Sequence, residues 1–114
     1  MEHANAASQR YEISITSTAK SYRPDAEYRI FDEQRLIADS IADVRDQLRD
    51  IYGTCKRVPM YVDRPNDDPK QVGWVYCFNS DATVRGELQK WRQQDWVQVR
   101  RLLGEIVDPR ELKR

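Results

Sequence analysis

Hydrophobic patterning is strongest over Val72-Gly73-Trp74-Val75-Tyr76-Cys77-Phe78, an almost unbroken apolar, β-branched and aromatic run with turn-forming residues on both sides. Such a run predicts a central, largely buried strand. Strict alternation over Tyr11-Glu12-Ile13-Ser14-Ile15-Thr16 predicts another, with Tyr11, Ile13 and Ile15 on its covered face. Ser17–Pro24 has no period and reads as a loop. Ala26–Ile30 and Leu36–Ala38 read as two short extended pieces, joined in a hairpin by a turn at Asp32-Glu33-Gln34. Lys56–Val62 is a further strand, and Pro59, which has no N–H for a ladder, belongs at its start or on an edge. Asp63–Gln71 then reads as the turn that joins this strand to the aromatic one. Its acids lack the alternate spacing and central glycine of a calcium loop.

One helix stands out. Ile41, Val44, Leu48 and Ile51 recur at spacings of three, four and three, a single apolar stripe with the charged residues mostly turned away. Ser40 is placed to cap its first turn, with Asp43 near the positive end, and Gly53 supplies the stop. Residues 84–107 carry two conflicting periods. Val84, Leu88, Trp91, Asp95, Val99, Leu102 and Ile106 fit one long helix with Asp95 as its flaw, whereas Trp96-Val97-Gln98-Val99 is β-prone and Gly86 and Gly104 interrupt a helix. We read a strand near Gln94–Arg100, paired with the aromatic strand across an Asn79–Leu88 connection; the alternative is a C-terminal helix packed on the sheet. The fold class is therefore α+β: one small domain over residues 10–108, mainly antiparallel sheet, with the Ser40–Tyr52 helix across one face. Residues 1–9 read as a frayed terminus and 109–114 as a charged tail.

Composition narrows the function classes. At 114 residues, with 39% hydrophobic and 33% charged residues, the chain holds one domain with a small core. Nineteen basic and nineteen acidic residues cancel, so no global field recruits nucleic acid or an anionic membrane. From Arg85 onward there are eight Lys/Arg against five Asp/Glu, 8 − 5 = +3, leaving −3 on residues 1–84. No apolar run approaches the ~20 residues that span a bilayer. Cys55 and Cys77 read as reduced thiols of a cytoplasmic protein, and the arginine-rich, lysine-poor composition points to a GC-rich bacterial or phage source.

Chemistry is sparse. The one histidine, His3, stands in the N-terminal stretch, so the commonest general base and metal ligand is missing from the expected core. None of the common catalytic, redox or dinucleotide-binding motifs occurs. We therefore expect no enzyme activity, cofactor or metal, and assign no catalytic residue. Trp91, Arg92, Trp96, Arg100 and Arg101 mix the residue types that dominate protein interfaces. They are the expected partner-binding residues, for another protein or a second copy of the chain. The alternative is single-stranded nucleic acid, with Trp74, Tyr76 and Phe78 as stacking rings and Arg85 and Lys90 beside them. Those three rings share one strand face, and the helix also needs such a face to pack on, which assigns them first to the core.

Overall fold

The structure, a computed structural model, describes residues 10–65 and 67–112. The expected frayed segment 1–9 and the last two residues of the expected tail lie outside these. Five strands form one antiparallel sheet: β1 (Tyr11–Ser21), β2 (Arg29–Ala38), β3 (Lys56–Arg64), β4 (Asp67–Val84) and β5 (Glu87–Arg101). Their order is β2-β1-β5-β4-β3, so β5 and not the aromatic strand β4 lies in the middle. The single long helix, α1 (Ile41–Tyr52), leaves one edge strand and delivers the chain to the opposite edge. Its 12 residues make a rod of about 18 Å, and five strands about 4.8 Å apart span about 19 Å. One helix therefore crosses the sheet in one pass. It is neither long nor apolar enough to cross a membrane.

The α1 boundaries follow the sequence signals. Ser40 is extended and its hydroxyl accepts from the Asp43 N–H at 3.0 Å, while the Asp43 carboxylate accepts from the Asp39 N–H at 2.9 Å. Gly53, at φ 55°, turns the chain out of the helix. The buried stripe differs by one position from the expected one: Val44, Leu48 and Tyr52 face the sheet, and Ile51 is exposed. Tyr52 takes that place because its ring stacks on Tyr76 at 3.9 Å and its hydroxyl reaches a partner in the sheet.

Beneath α1 the core is built from cross-strand rows. Ile13 stands opposite Val99 and Ile15 opposite Val97, which in turn stands opposite Trp74. All five are buried. The chain beyond β5 closes one end. Val107 donates its N–H to the Val99 carbonyl, and a short 3₁₀ turn, Pro109–Leu112, buries Pro109 and Leu112 against the core. The expected tail is thus part of the folded body as far as Leu112. Two apolar residues anchor it, and the charges between them face solvent.

Three expected turns are strand instead. Ser17–Ser21 continues β1, and Asp32, Glu33 and Gln34 pair with Ser17, Thr16 and Ile15, so residues 29–38 form one strand with a bulge near Phe31. Asn79–Thr83 continues β4, paired with Leu88–Arg92, and the β4–β5 connection is the pair Arg85-Gly86. Both turn residues have positive φ, 52° and 82°, the backbone of the tight hairpin turn that suits the strand twist. Likewise the β3–β4 hairpin runs from Arg64 to Asp67 and not across the whole of Asp63–Gln71. In each case ladder hydrogen bonds and cross-strand pairs such as Asp81 opposite Lys90 extend polar sequence beyond the buried core.

A candidate binding face on the open sheet

Alternation sorts the β5 side chains into two sets. Trp91, Gln93, Asp95, Val97 and Val99 share the face that α1 covers, and Leu88, Lys90, Arg92, Gln94, Trp96, Gln98 and Arg100 share the other. The expected strand near Gln94–Arg100 is therefore present and longer, and Asp95, a flaw in a helical stripe, is a functional part of the core. It is 5% exposed, and its carboxylate accepts from the Tyr52 hydroxyl at 2.7 Å and from Gln93 Nε2 at 3.0 Å. Burial, and next the hydrogen bond to Asp95, push the Tyr52 phenol far above its ordinary 10.0. This buried acid is satisfied and faces no open cleft.

The expected sites divide accordingly. Trp74 and Tyr76 lie under α1, buried, and Phe78 packs against them half-buried. Trp74 and Tyr76 do not expose the ring face that base stacking needs. The Arg57 guanidinium lies over the Trp74 ring, 4.7 Å from its centre. Arg85 sits in the β4–β5 turn, and Lys90 lies on the open face near it. Of the five interface residues, Arg92, Trp96 and Arg100 share the open face at intervals of four, about 14 Å apart along the strand. Trp91 and Arg101 lie on the opposite face, where Arg101 pairs with Glu111 at 3.6 Å. One face therefore unites three of the five.

The open face has a consistent chemistry. Trp96, 43% exposed on the central strand, stands in one cross-strand row with Val75, Val58 and Thr16. Around it lie Ser14, Thr18, Gln94, Gln98, Met60, Ile30 and Tyr28, and several of these enclose a hollow of about 430 Å³. Ile30, Ile37 and Val58 are exposed. None of these central residues carries a charge. The charges stand at the margins, where Lys20, Arg35, Lys56, Lys90, Arg92 and Arg100 outnumber Glu12, Glu33 and Asp81. On β5 itself every charge on this face is basic. The aliphatic flanks Val58, Ile30 and Met60 escaped the sequence reading because they are contributed by the two edge strands, and only the strand order brings them beside Trp96.

Nucleophilic chemistry has little support. Cys55 and Cys77 are free thiols, and burial pushes the Cys55 thiol above its ordinary value, with Cys77 and Asp95 adding to the effect. Its Sγ donates to the Cys77 carbonyl at 3.2 Å, which favours the thiol over the nucleophilic thiolate. Among the described residues no three His, Cys, Asp or Glu side chains gather closely enough to hold a metal ion. No protein-family model, curated protein or solved structure matches this chain.

Proposed function

We propose that this protein is a non-catalytic binding protein, and that the uncovered sheet face centred on Trp96 docks a partner protein with an apolar surface rimmed by acidic groups. The observation that carries the reading is the distribution of charge on that face. An uncharged, largely apolar centre with a polar margin is the anatomy of a specific protein interface. Five strands by about eight residues offer roughly 650 Å², within the roughly 600–1,000 Å² per partner of a standard interface. Exposed aliphatic residues beside the tryptophan favour protein over nucleic acid, because stacking platforms use rings and cations and gain little from Val58 or Ile30. The basic excess favours an acidic partner over a second copy, which would bring like charges together.

The test is capture from a lysate of the source organism with wild-type protein, Trp96→Ala and Arg100→Glu as baits. The expected result is one protein retained by the wild type and lost from both variants. Retention that is indifferent to Trp96 refutes the site. Sedimentation at rising concentration and titration with labelled single-stranded DNA run alongside. A Trp96-dependent dimer, or salt-sensitive DNA binding lost in Trp96→Ala, would replace the acidic protein by those partners.

A further inference from the structure

The two edges of the sheet are not alike. Edge strands carry unpaired backbone groups, and folded proteins blunt them with proline, lysine, bulges or a covering element. β3 shows several of these, with Lys56, Pro59 and two breaks of register. β2 has neither proline nor lysine in its 10 residues and one break of register near Phe31, and its Ile30 and Phe31 are exposed. Two hydrogen bonds fix which of its backbone groups are free. The Leu102 N–H donates to the Arg10 carbonyl at 2.8 Å, so Arg10 and, by alternation, Glu12 and Ser14 bond to β5. Tyr11, Ile13 and Ile15 therefore bond to β2, at Ala38, Leu36 and Gln34. That leaves the N–H and C=O of Glu33, Arg35 and Ile37 pointing out of the sheet. Gln47 Nε2 donates to the Ile37 carbonyl at 2.9 Å, as that direction requires. Among the described residues nothing bonds the outward groups of Glu33 and Arg35.

We propose that β2 pairs antiparallel with β2 of a second copy about a twofold axis at Gln34, joining the two sheets edge to edge. Opposed residues of an antiparallel pair share a sheet face, so a strand paired with itself is centred on a residue, and charge selects which one. Centring on Gln34 sets Glu33 of each copy against Arg35 of the other. Both lie on the Trp96 face, opposite Thr16 and Ser14 of their own β1. Centring on Glu33 or on Arg35 opposes like charges. The Gln34 register also brings the exposed Ile30 and Ile37 of opposite copies together on that face. The axis runs perpendicular to the sheet, so both Trp96 faces stay uncovered on one side and both helices lie on the other. Their basic margins stand side by side and not face to face, and the edge dimer forms whether or not the Trp96 face has a partner.

Sedimentation of the full chain should show the mass rising from 13.5 kDa towards twice that value. The rise is expected between about 1 μM and 1 mM, the range of small interfaces, and equally in Trp96→Ala. Glu33→Arg and Arg35→Glu each place like charges across the axis, and each raises the dissociation constant about tenfold or more. Mixed in equal amounts the two variants restore it, because one copy then offers two basic residues and the other two acidic ones. Gln34→Cys reads the register, since its α-carbons stand about 4.5 Å apart on the axis, within disulfide reach. Mild oxidation gives a dimer linked through the introduced thiols, located by peptide mass mapping. Asp32→Cys, with its two copies about 14 Å apart, gives none. A chain still monomeric at about 1 mM, a mixture no tighter than either variant alone, or equal cross-linking from both cysteine variants would each overturn the edge dimer. So would a dimer lost in Trp96→Ala, which belongs to the open face.

Discussion

Gly73→Ala is the most demanding test of the sheet geometry. A Cβ built at Gly73 lies 2.1 Å from the Val97 carbonyl oxygen and 2.9 Å from Met60 Cε. Carbon–oxygen contacts in sheets settle at about 3.3 Å or more, so the substitution demands a displacement of about 1.2 Å. Met60 is the tip of a flexible side chain and can swing aside. The Val97 oxygen cannot, because Val97 is fully buried and its strand is paired on both sides, with Trp74 and Ile15 opposite. Relief requires β4 to part locally from β5. That sacrifices about two ladder hydrogen bonds at roughly 0.5–1.5 kcal/mol each and disturbs the Trp74–Val97 packing at a cost of about 1–3 kcal/mol. The expected loss is about 3–5 kcal/mol, a large part of the roughly 5–15 kcal/mol that holds a domain together. Urea unfolding followed by tryptophan fluorescence measures it. With a slope of about 1–3 kcal/mol per molar, the midpoint falls by about 2 M. Gly104→Ala is the control, since its nearest non-neighbour atom is 3.7 Å away and its expected cost is under about 0.5 kcal/mol. A Gly73→Ala loss below about 1 kcal/mol at unchanged slope would refute the reasoning, because it would mean the ladder yields freely.

Other outcomes follow from the buried polar pair and the closing turn. Tyr52→Phe strips Asp95 of its 2.7 Å donor inside the core, and denaturant unfolding is expected to show a loss of about 1.5–3 kcal/mol. The same phenol sets the alkaline limit. Its folded value is raised, so its contribution is complete below the unfolded value of 10.0 and is lost as pH climbs above it. Ultraviolet titration should find one tyrosine that ionises only as the protein unfolds, and that late step should be missing from Tyr52→Phe. Leu112→Ala is expected to cost about 2–3 kcal/mol by thermal or urea unfolding, whereas a solvated tail at that position predicts no change.

The fold class was legible because burial writes a period into the sequence. The Tyr11–Thr16 alternation, the Ile41–Ile51 stripe with Ser40 and Gly53 at its ends, and the aromatic run of β4 all mark elements that lie in or against the core, although Tyr52 takes the buried place expected of Ile51. Legibility failed where pairing rather than burial holds the chain. Asp32-Glu33-Gln34 and Asn79-Ser80-Asp81 carry turn-like composition, yet neighbouring strands bind their backbones and keep them extended. The Arg85-Gly86 turn lacks the usual asparagine or aspartate signal, and its arginine is held at positive φ by the hairpin. Leu112 was hidden in a charged hexapeptide because two anchors are too few to make a period.

The candidate surfaces divide in the same way. Sequence alone selected Trp91 and Trp96 with their arginines, and the odd spacing between them already placed them on opposite faces of a strand. It also determined that α1 would need the Trp74–Phe78 face as its floor. Only the tertiary structure decided which face stayed open, because one 12-residue helix can cover one side of this sheet and only part of its length. It put Val58 and Ile30 from distant strands on the same face as Trp96, and left Trp91 on the other face, past the end of the helix. Side-chain periodicity is local and readable. Strand order and helix reach are set by contacts between residues far apart in the chain, and no single segment records them.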